Sequence, residues 1–163
     1  MNRQHVLWVC GAAAALGLGW LMVKPRGAKV WHRERAKGVR PELLAFLDWW
    51  ESNGTFPITV VEHGGVRWDQ AEQAALFARG VTKAATLADT PHGHAAALDL
   101  APYDEKKRAP MWTGADHLFA AIGAAAKGHG LAWGGDWKSF KDMPHVELPN
   151  WRTLPMPKAG GVA

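Results

Sequence analysis

The stretch DTPHGHAAALDL, residues 89–100, constrains the fold more than any other part of the chain. Two histidines stand in a turn marked by proline and glycine, and a run of small apolar residues follows with one carboxylate, Asp99, inside it. Such an apolar run is typical of a buried strand, and burying a carboxylate costs free energy unless its charge is compensated. The stretch therefore indicates a polar site at the start of a strand, and we expect a bound metal ion.

A second stretch supplies the further ligand and the general base that such a metal site requires. His92 and Asp99 are seven residues apart, so a turn followed by an extended run brings both side chains to one point. The stretch DMPHVEL adds His145 at the start of a predicted strand and Asp142 three residues before it. Catalytic zinc takes three nitrogen or oxygen ligands and keeps one position for water. His92, Asp99 and His145 meet that requirement, and Asp142 is then free to act as the general base.

Other polar and aromatic side chains near these positions have alternative roles. His94 is the competing ligand within the turn. Asp136 either caps a turn or hydrogen-bonds a ligand histidine. Glu147 follows the ligand histidine of its strand by two positions, so it shares that face and is a partner of the ligand or a substrate contact. Trp133 either packs in the core or forms the wall of a substrate groove.

The remaining patterns predict an α+β domain. Three stretches have apolar residues at helical spacing and end in glycine: 41–54, 68–80 and 114–130. Strands are predicted in the apolar or β-branched stretches 56–65 and 94–104 and within 131–148. Elements mixed in this order indicate a small antiparallel sheet with helices packed on it.

The ends of the chain differ in composition from this domain. Residues 6–23 are uncharged, flanked by basic residues and just long enough to cross a bilayer, so we predict a membrane-targeting helix within an N-terminal transmembrane or signal-anchor segment, 1–26. Residues 27–40 are predicted to be a basic linker, 41–151 the folded domain and 152–163 a flexible tail. Positive charge after the uncharged segment favours the cytoplasmic side and leaves the topology open.

Charge and cysteine content narrow the classes of partner. The net charge of +4 and pI of about 9.4 favour an anionic partner, either nucleic acid, a membrane surface or an acidic cell-wall polymer. The chain lacks a groove-binding motif or an aromatic and basic pattern, so no nucleic acid is expected. Cys10 is the only cysteine, which excludes an internal disulfide and any cysteine-based zinc cluster. A length of 163 residues leaves room for one domain, and a monomer is expected.

Three stretches resemble one family of metallopeptidases. TPHGHAAALD resembles the Ser-x-His-x-x-Gly-x-Ala-x-Asp motif of zinc D-alanyl-D-alanine peptidases and phage L-alanyl-D-glutamate endolysins, which share a fold with Hedgehog signalling domains. WGGDWKSFKDMPHVEL is similar to the endolysin branch, in which a Trp-Gly-Gly-Asp-Trp run leads into Asp-x-Pro-His. VRWDQAEQAALFARG is similar to the family's arginine-containing turn and its following helix. The resemblance covers roughly residues 40–149.

The resemblance implies a role for each residue of the site. His92, Asp99 and His145 are the implied zinc ligands, Asp142 the catalytic base, and Arg67 the cation that polarises the scissile carbonyl and stabilises the oxyanion. The chain departs from the family pattern without losing a ligand: Thr90 replaces the motif serine, Ala95 replaces the motif glycine, and Trp68 replaces a small residue after the arginine.

These observations predict a zinc-dependent peptidase that cleaves the peptide stem of bacterial peptidoglycan. The resemblance implies an L-alanyl-D-glutamate endopeptidase, a phage or prophage lysis enzyme, and the membrane segment at residues 6–23 places it at the inner membrane, acting in the periplasm or on the cell wall. A host D,D-carboxypeptidase of wall remodelling and a non-catalytic zinc-binding module of the same fold share the ligands. The presence of both Asp142 and Arg67 favours catalysis.

Overall fold

The computed structural model describes residues 27–158, which form three α-helices and six short strands. The helices are α1 (Pro41–Asn53), α2 (Gln70–Ala78) and α3 (Asp116–Gly128). The strands are β1 (Val30–Trp31), β2 (Ile58–Val60), β3 (Ala97–Asp104), β4 (Ala109–Pro110), β5 (Ala132–Trp133) and β6 (His145–Glu147). The predicted α+β architecture is confirmed, and each described helix lies within a predicted stretch.

One mixed sheet organises the domain around its longest strand, β3. The strand order is β1-β2-β3-β6-β5, and β4 pairs with the far end of β3. All pairs are antiparallel except the first, in which β1 runs parallel to β2. The sheet is therefore antiparallel as predicted except at one edge, where the parallel pairing of β1 with β2 was not predicted.

One face of the sheet packs against the main hydrophobic core, and the other face carries the candidate site. Leu98 and Leu100 of β3 and Val146 of β6 are buried in the main hydrophobic core with residues of α1, including Phe46. Side chains alternate between faces along a strand, so the intervening residues point away from this core. This alternation explains how apolar strands can also present polar side chains, and it positions the candidate site on the opposite face.

Helix ends follow local chemistry. α1 begins with Pro41, whose missing N–H is not needed at a first helical position. α2 begins after Asp69, whose side chain accepts a hydrogen bond of 2.8 Å from the backbone N–H of Ala71. This cap fixes where α2 begins, and α2 supplies a residue that contacts the candidate site.

The stretch 27–40 is part of the fold rather than a linker. It contributes β1 to the sheet, and Val30, Ala36 and Val39 are buried in the main core. Basic residues lie between these apolar residues. The composition of the stretch therefore resembles that of a solvated linker, although its apolar side chains face the core. The structured domain thus begins before residue 41.

Part of the stretch predicted to be a flexible tail is also anchored. Leu154 packs against the main core, and the Pro155 carbonyl accepts a hydrogen bond of 2.7 Å from Nη2 of Arg40. The predicted membrane segment, residues 6–23, lies outside the described residues. Between residues 27 and 158, none of the helices combines the length and apolar character needed to cross a bilayer.

Candidate active site

The register of β3 and β6 places two of the predicted ligands face to face. Asp99 pairs directly with His145 across the ladder, and Nδ1 of His145 lies 2.9 Å from Oδ1 of Asp99. Residues directly opposite in an antiparallel pair project on the same side of the sheet. Two ligands separated by 46 positions in the chain therefore meet because of strand pairing.

The turn before β3 brings the third predicted ligand to the same point. Nε2 of His92 lies 3.4 Å from Oδ2 of Asp99, and one potential ligand atom from each of His92, Asp99 and His145 lies within 4.8 Å of the others. The His92 carbonyl accepts hydrogen bonds from the backbone N–H groups of Ala95 and Arg67. Ala95 has a φ of 55°, a left-handed backbone conformation that favours glycine. The family motif has glycine at this position.

The remaining nitrogen of each histidine has an oxygen partner. Nδ1 of His92 donates to the Gly65 carbonyl at 2.8 Å, and Nε2 of His145 donates to Oε2 of Glu147 at 3.0 Å. A neutral imidazole that donates from one nitrogen has a lone pair on the other. Both lone pairs are then directed toward the Asp99 carboxylate, which gives the two-nitrogen, one-oxygen donor set that a divalent metal such as zinc takes.

Without a metal, protons take its place between these groups. Burial alone lowers the pKa of His145, but its hydrogen bonds to Asp99 and Glu147 outweigh burial and raise the pKa to about 10. Burial alone raises the pKa of Asp99, but the charge of His92 and hydrogen bonds from both histidines hold that pKa well below its usual range. The carboxylate thus stays ionised and retains a cation beside it.

Zinc binding is expected to release protons from the site. His145 is protonated at pH 7 because its pKa is raised to about 10, and a histidine must be neutral to bind metal. The apparent zinc affinity should therefore rise with pH, by about tenfold per unit over the neutral range. Calorimetric titration in buffers of different ionisation enthalpy measures the released protons. An affinity independent of pH would contradict this assignment.

Glu147 is expected to strengthen metal binding by orienting His145. Replacing Glu147 by alanine removes the acceptor of Nε2–H, and loss of such a partner costs about 10- to 100-fold in metal affinity. Glu147→Gln retains an acceptor oxygen and should retain most of the affinity. Asp136→Ala is a suitable control because Asp136 pairs with Lys127 at 2.7 Å on the surface. Equal affinities for the Glu147→Ala and Asp136→Ala proteins would exclude the orienting role.

Asp142 lies in the turn that precedes β6. Its backbone N–H donates to the Gly134 carbonyl at 3.1 Å, and its own carbonyl accepts from the N–H of His145 at 3.2 Å. Burial and the nearby charge of Asp99 raise the pKa of Asp142, against the opposing charges of His145, His92 and Arg67. A carboxyl with a raised pKa is suited to accepting and returning a proton.

Arg67 presents a buried cation to the same cluster. Its Nη1 donates to Oε1 of Gln73 in α2 at 3.1 Å, and its Nη2 lies 3.9 Å from Oδ2 of Asp99. Burial lowers the pKa of Arg67, and the negative charges of Asp99, Glu72 and Asp142 oppose that shift. Within residues 27–158, its buried Nε has no hydrogen-bond partner. The guanidinium group therefore has an unsatisfied buried donor in addition to the Nη2 group that faces Asp99.

Gln73 was not singled out from the sequence. It is fully buried and donates through Nε2 to the Ala84 carbonyl at 2.6 Å while accepting from Arg67. The only signal was a glutamine on the buried face of a predicted helix, six residues after the arginine.

The other predicted residues have different locations. Oγ1 of Thr90 accepts from the backbone N–H of His92 at 3.4 Å. Trp133 packs partly buried in the core and donates through Nε1 to the Met143 carbonyl at 2.8 Å, on the loop that precedes β6. Asp136 is on the surface and does not line the cleft described below, so the structure does not bring it to a ligand histidine.

The competing ligand His94 points elsewhere. Its Nδ1 lies 2.7 Å from the Leu154 carbonyl and its Nε2 lies 3.0 Å from the Ala88 carbonyl. Both ring nitrogens are therefore engaged by backbone oxygens away from the cluster. Of the two histidines in the turn, His92 is the one whose free nitrogen faces Asp99.

An open cleft of about 890 Å³ surrounds the cluster. Its lining includes the three candidate ligands, Arg67, Asp142 and Glu147. Large apolar side chains also line it and remain exposed, namely Phe77, Trp112 and Phe140. The lining of the cleft therefore combines polar and apolar side chains, as is usual for ligand-binding sites.

Comparisons with known proteins agree with this geometry. Residues 83–148 match a protein-family model described as D-alanyl-D-alanine carboxypeptidase. The resemblance to this peptidase family is confirmed. The family match contains His92, Asp99, Asp142 and His145, whereas Arg67 lies before it.

Two proteins named as endopeptidases are also similar to the chain. The peptidoglycan L-alanyl-D-glutamate endopeptidase CwlK of Bacillus subtilis is 32% identical over 94 residues, which are 48% of this chain and 55% of CwlK. The chain thus spans about half the length of that curated relative. The crystal structure of the L-Ala D-Glu endopeptidase ChiX of Serratia marcescens has a TM-score of 0.59 at 24% identity, covering 72% of this chain and 85% of ChiX. The likeness to ChiX shows a shared fold.

Proposed function

We propose that this protein is a zinc-dependent peptidoglycan peptidase that cleaves the L-alanyl-D-glutamate bond of the stem peptide. The observation that carries the proposal is the meeting of three ligand atoms within 4.8 Å in a cleft that Asp142 and Arg67 also line. Two relatives named as L-alanyl-D-glutamate endopeptidases support the choice of bond.

The residues of the cleft divide the proposed reaction between them. His92, Asp99 and His145 would hold the zinc ion, which would supply Lewis acidity at the reacting centre. Asp142 takes the proton of the attacking water and later delivers it to the leaving amine. Arg67 donates to the oxygen of the scissile carbonyl, where negative charge develops in the transition state. Its burial makes this charge more effective than a solvated one.

A D,D-carboxypeptidase is the second candidate because the matching family model carries that description. The same ligands, base and arginine serve both reactions, so the products must distinguish them. A non-catalytic zinc-binding module is disfavoured by the presence of Asp142 and Arg67 beside the ligands.

Digestion of purified peptidoglycan by the full-length protein, followed by mass spectrometry, tests the proposal. Cleavage between L-alanine and D-glutamate is expected to yield peptides with an N-terminal glutamate. Release of free D-alanine would instead support the carboxypeptidase. Zinc binding without any product would identify the non-catalytic module.

The cellular setting is also a proposal. We propose that residues 6–23 hold the protein at the inner membrane and that the catalytic domain acts as a monomer in the periplasm or on the cell wall. The uncharged stretch and the basic pI support this setting. Fractionation of producing cells should recover the full-length protein with membranes and a form lacking residues 1–26 in the soluble fraction.

A further inference from the structure

A second cavity adjoins the cleft beyond Trp112. This side cavity has a volume of about 490 Å³ and shares Val61, Glu62 and Trp112 with the cleft. Its other lining residues are His32, Arg35, Thr59, Tyr103, Arg108 and Pro110. The shared residues make the two spaces neighbours, so a substrate that fills the cleft can extend into the side cavity.

Cations outnumber anions around the side cavity. Arg35 and Arg108 both line it, and across the described range 27–158 neither guanidinium forms an ion pair. Arg35 donates from Nη1 to the Val60 carbonyl at 3.1 Å, which holds its guanidinium at the wall and leaves other donors free. The carboxylate in the lining, Glu62, is largely exposed and lies 3.9 Å from Nε2 of His63. An anion entering this cavity therefore meets unpaired donors.

The backbone supports a role for these side chains. His32 and Arg108 have φ values of 52° and 54°, left-handed conformations that favour glycine. Both residues line the side cavity, and Arg108 occupies the tight turn between β3 and β4. A large cationic side chain therefore stands where glycine would relieve backbone strain, as is common for residues that serve a site.

Aromatic groups complete the cavity. Tyr103 is buried and stacks on Trp31 with ring centroids 4.9 Å apart, which makes its side of the cavity rigid. Trp112 is 54% exposed at the border with the cleft. An exposed indole offers an apolar surface to the ligand beside the cationic wall.

We infer that the side cavity binds an anionic group of the cell-wall polymer while the neighbouring peptide occupies the cleft. The inference rests on the proposed function for the nature of the polymer. A stem-peptide carboxylate and the phosphate of a wall-attached polymer share the required chemistry. Arg35 and Arg108 supply the charge-assisted donors, and Trp112 contacts the chain that joins the anion to the scissile bond.

Arg108→Gly is the informative variant because glycine suits the φ of this turn and the fold should be retained or stabilised. Lys106→Ala is the matched control, since it removes one positive charge from the same turn at a residue that does not line the cavity. Both changes are introduced into the Asp142→Asn protein, and binding to insoluble peptidoglycan is measured by sedimentation. This measurement does not depend on turnover.

Arg108 is exposed, so Arg108→Gly should weaken binding by about three- to fivefold, as expected for one exposed ion pair, and the difference should vanish at high salt. Lys106→Ala should change binding less than twofold. Loss on peptidoglycan freed of phosphate-bearing polymers identifies a stem-peptide carboxylate, whereas loss on intact walls alone identifies phosphate. Equal binding by the Arg108→Gly and Lys106→Ala proteins on both materials overturns the inference. Absence of cleavage by the wild type contradicts the proposed function and leaves this comparison valid.

Discussion

Replacing Asp142 by asparagine is expected to lower kcat by about 10²- to 10⁴-fold while zinc remains bound. Asparagine has nearly the same shape as aspartate but cannot accept the proton of the attacking water. The backbone of residue 142 holds the turn through Gly134 and His145, and these hydrogen bonds do not depend on the side chain. The loss should therefore be chemical rather than structural.

Measuring the zinc content of each variant together with its activity separates loss of the base from loss of the metal. Asp142 is not among the three residues whose ligand atoms converge, so the Asp142→Asn protein should bind zinc as the wild type does. His92→Ala provides the contrast, because it should lose zinc and activity together. Full activity of the Asp142→Asn protein would show that another carboxylate of the cleft, such as Glu147, takes the proton.

Replacing Arg67 by lysine is expected to lower kcat by about 10²- to 10³-fold, the usual cost of losing one donor to a developing oxyanion. An ammonium keeps the positive charge but lacks the planar fork that donates to Gln73 with one nitrogen and faces the cluster with another. Most of the loss should appear in kcat rather than KM, since the interaction strengthens in the transition state.

Gln73 allows the positioning of Arg67 to be tested separately. Gln73→Ala should lower kcat by a smaller factor than Arg67→Lys, because the guanidinium remains but loses its partner. Gln70→Ala is the matched control: Gln70 contacts Ala85 and Leu87 in the same loop, and its hydrogen bonds do not include Arg67. Equal kinetic effects of the two alanine variants would show that only the loop matters. Unchanged kcat in the Arg67→Lys protein would remove Arg67 from the oxyanion role.

Most residues of the candidate site could be identified from local sequence, but their arrangement in space could not. The spacing of His92 and Asp99 and the later Asp142 and His145 was visible because each pair lies within one turn or strand start. The meeting of the pairs depends on the β3–β6 register, which no local pattern specifies. The resemblance implied His92 rather than His94 as the ligand, and the backbone carbonyls that surround each ring give the physical reason.

The incorrect predictions about the fold also have specific physical causes. β1 was missed because its two residues lie among basic ones, so the stretch resembled a solvated linker. Its pairing with β2 and the burial of Val30 arise from tertiary packing. Asp136 was predicted either to cap a turn or to hydrogen-bond a ligand histidine, and in the structure its side chain pairs with Lys127.

The pairing of Asp99 with His145 has a consequence for how the molecule matures. A shift of β6 by one position along β3 would send the imidazole to the opposite side of the sheet, where Leu98 and Leu100 lie. A chain aligned in this way would lose one of its three candidate ligands from the cluster. Metal binding would therefore stabilise the correct register of the two strands over the shifted one.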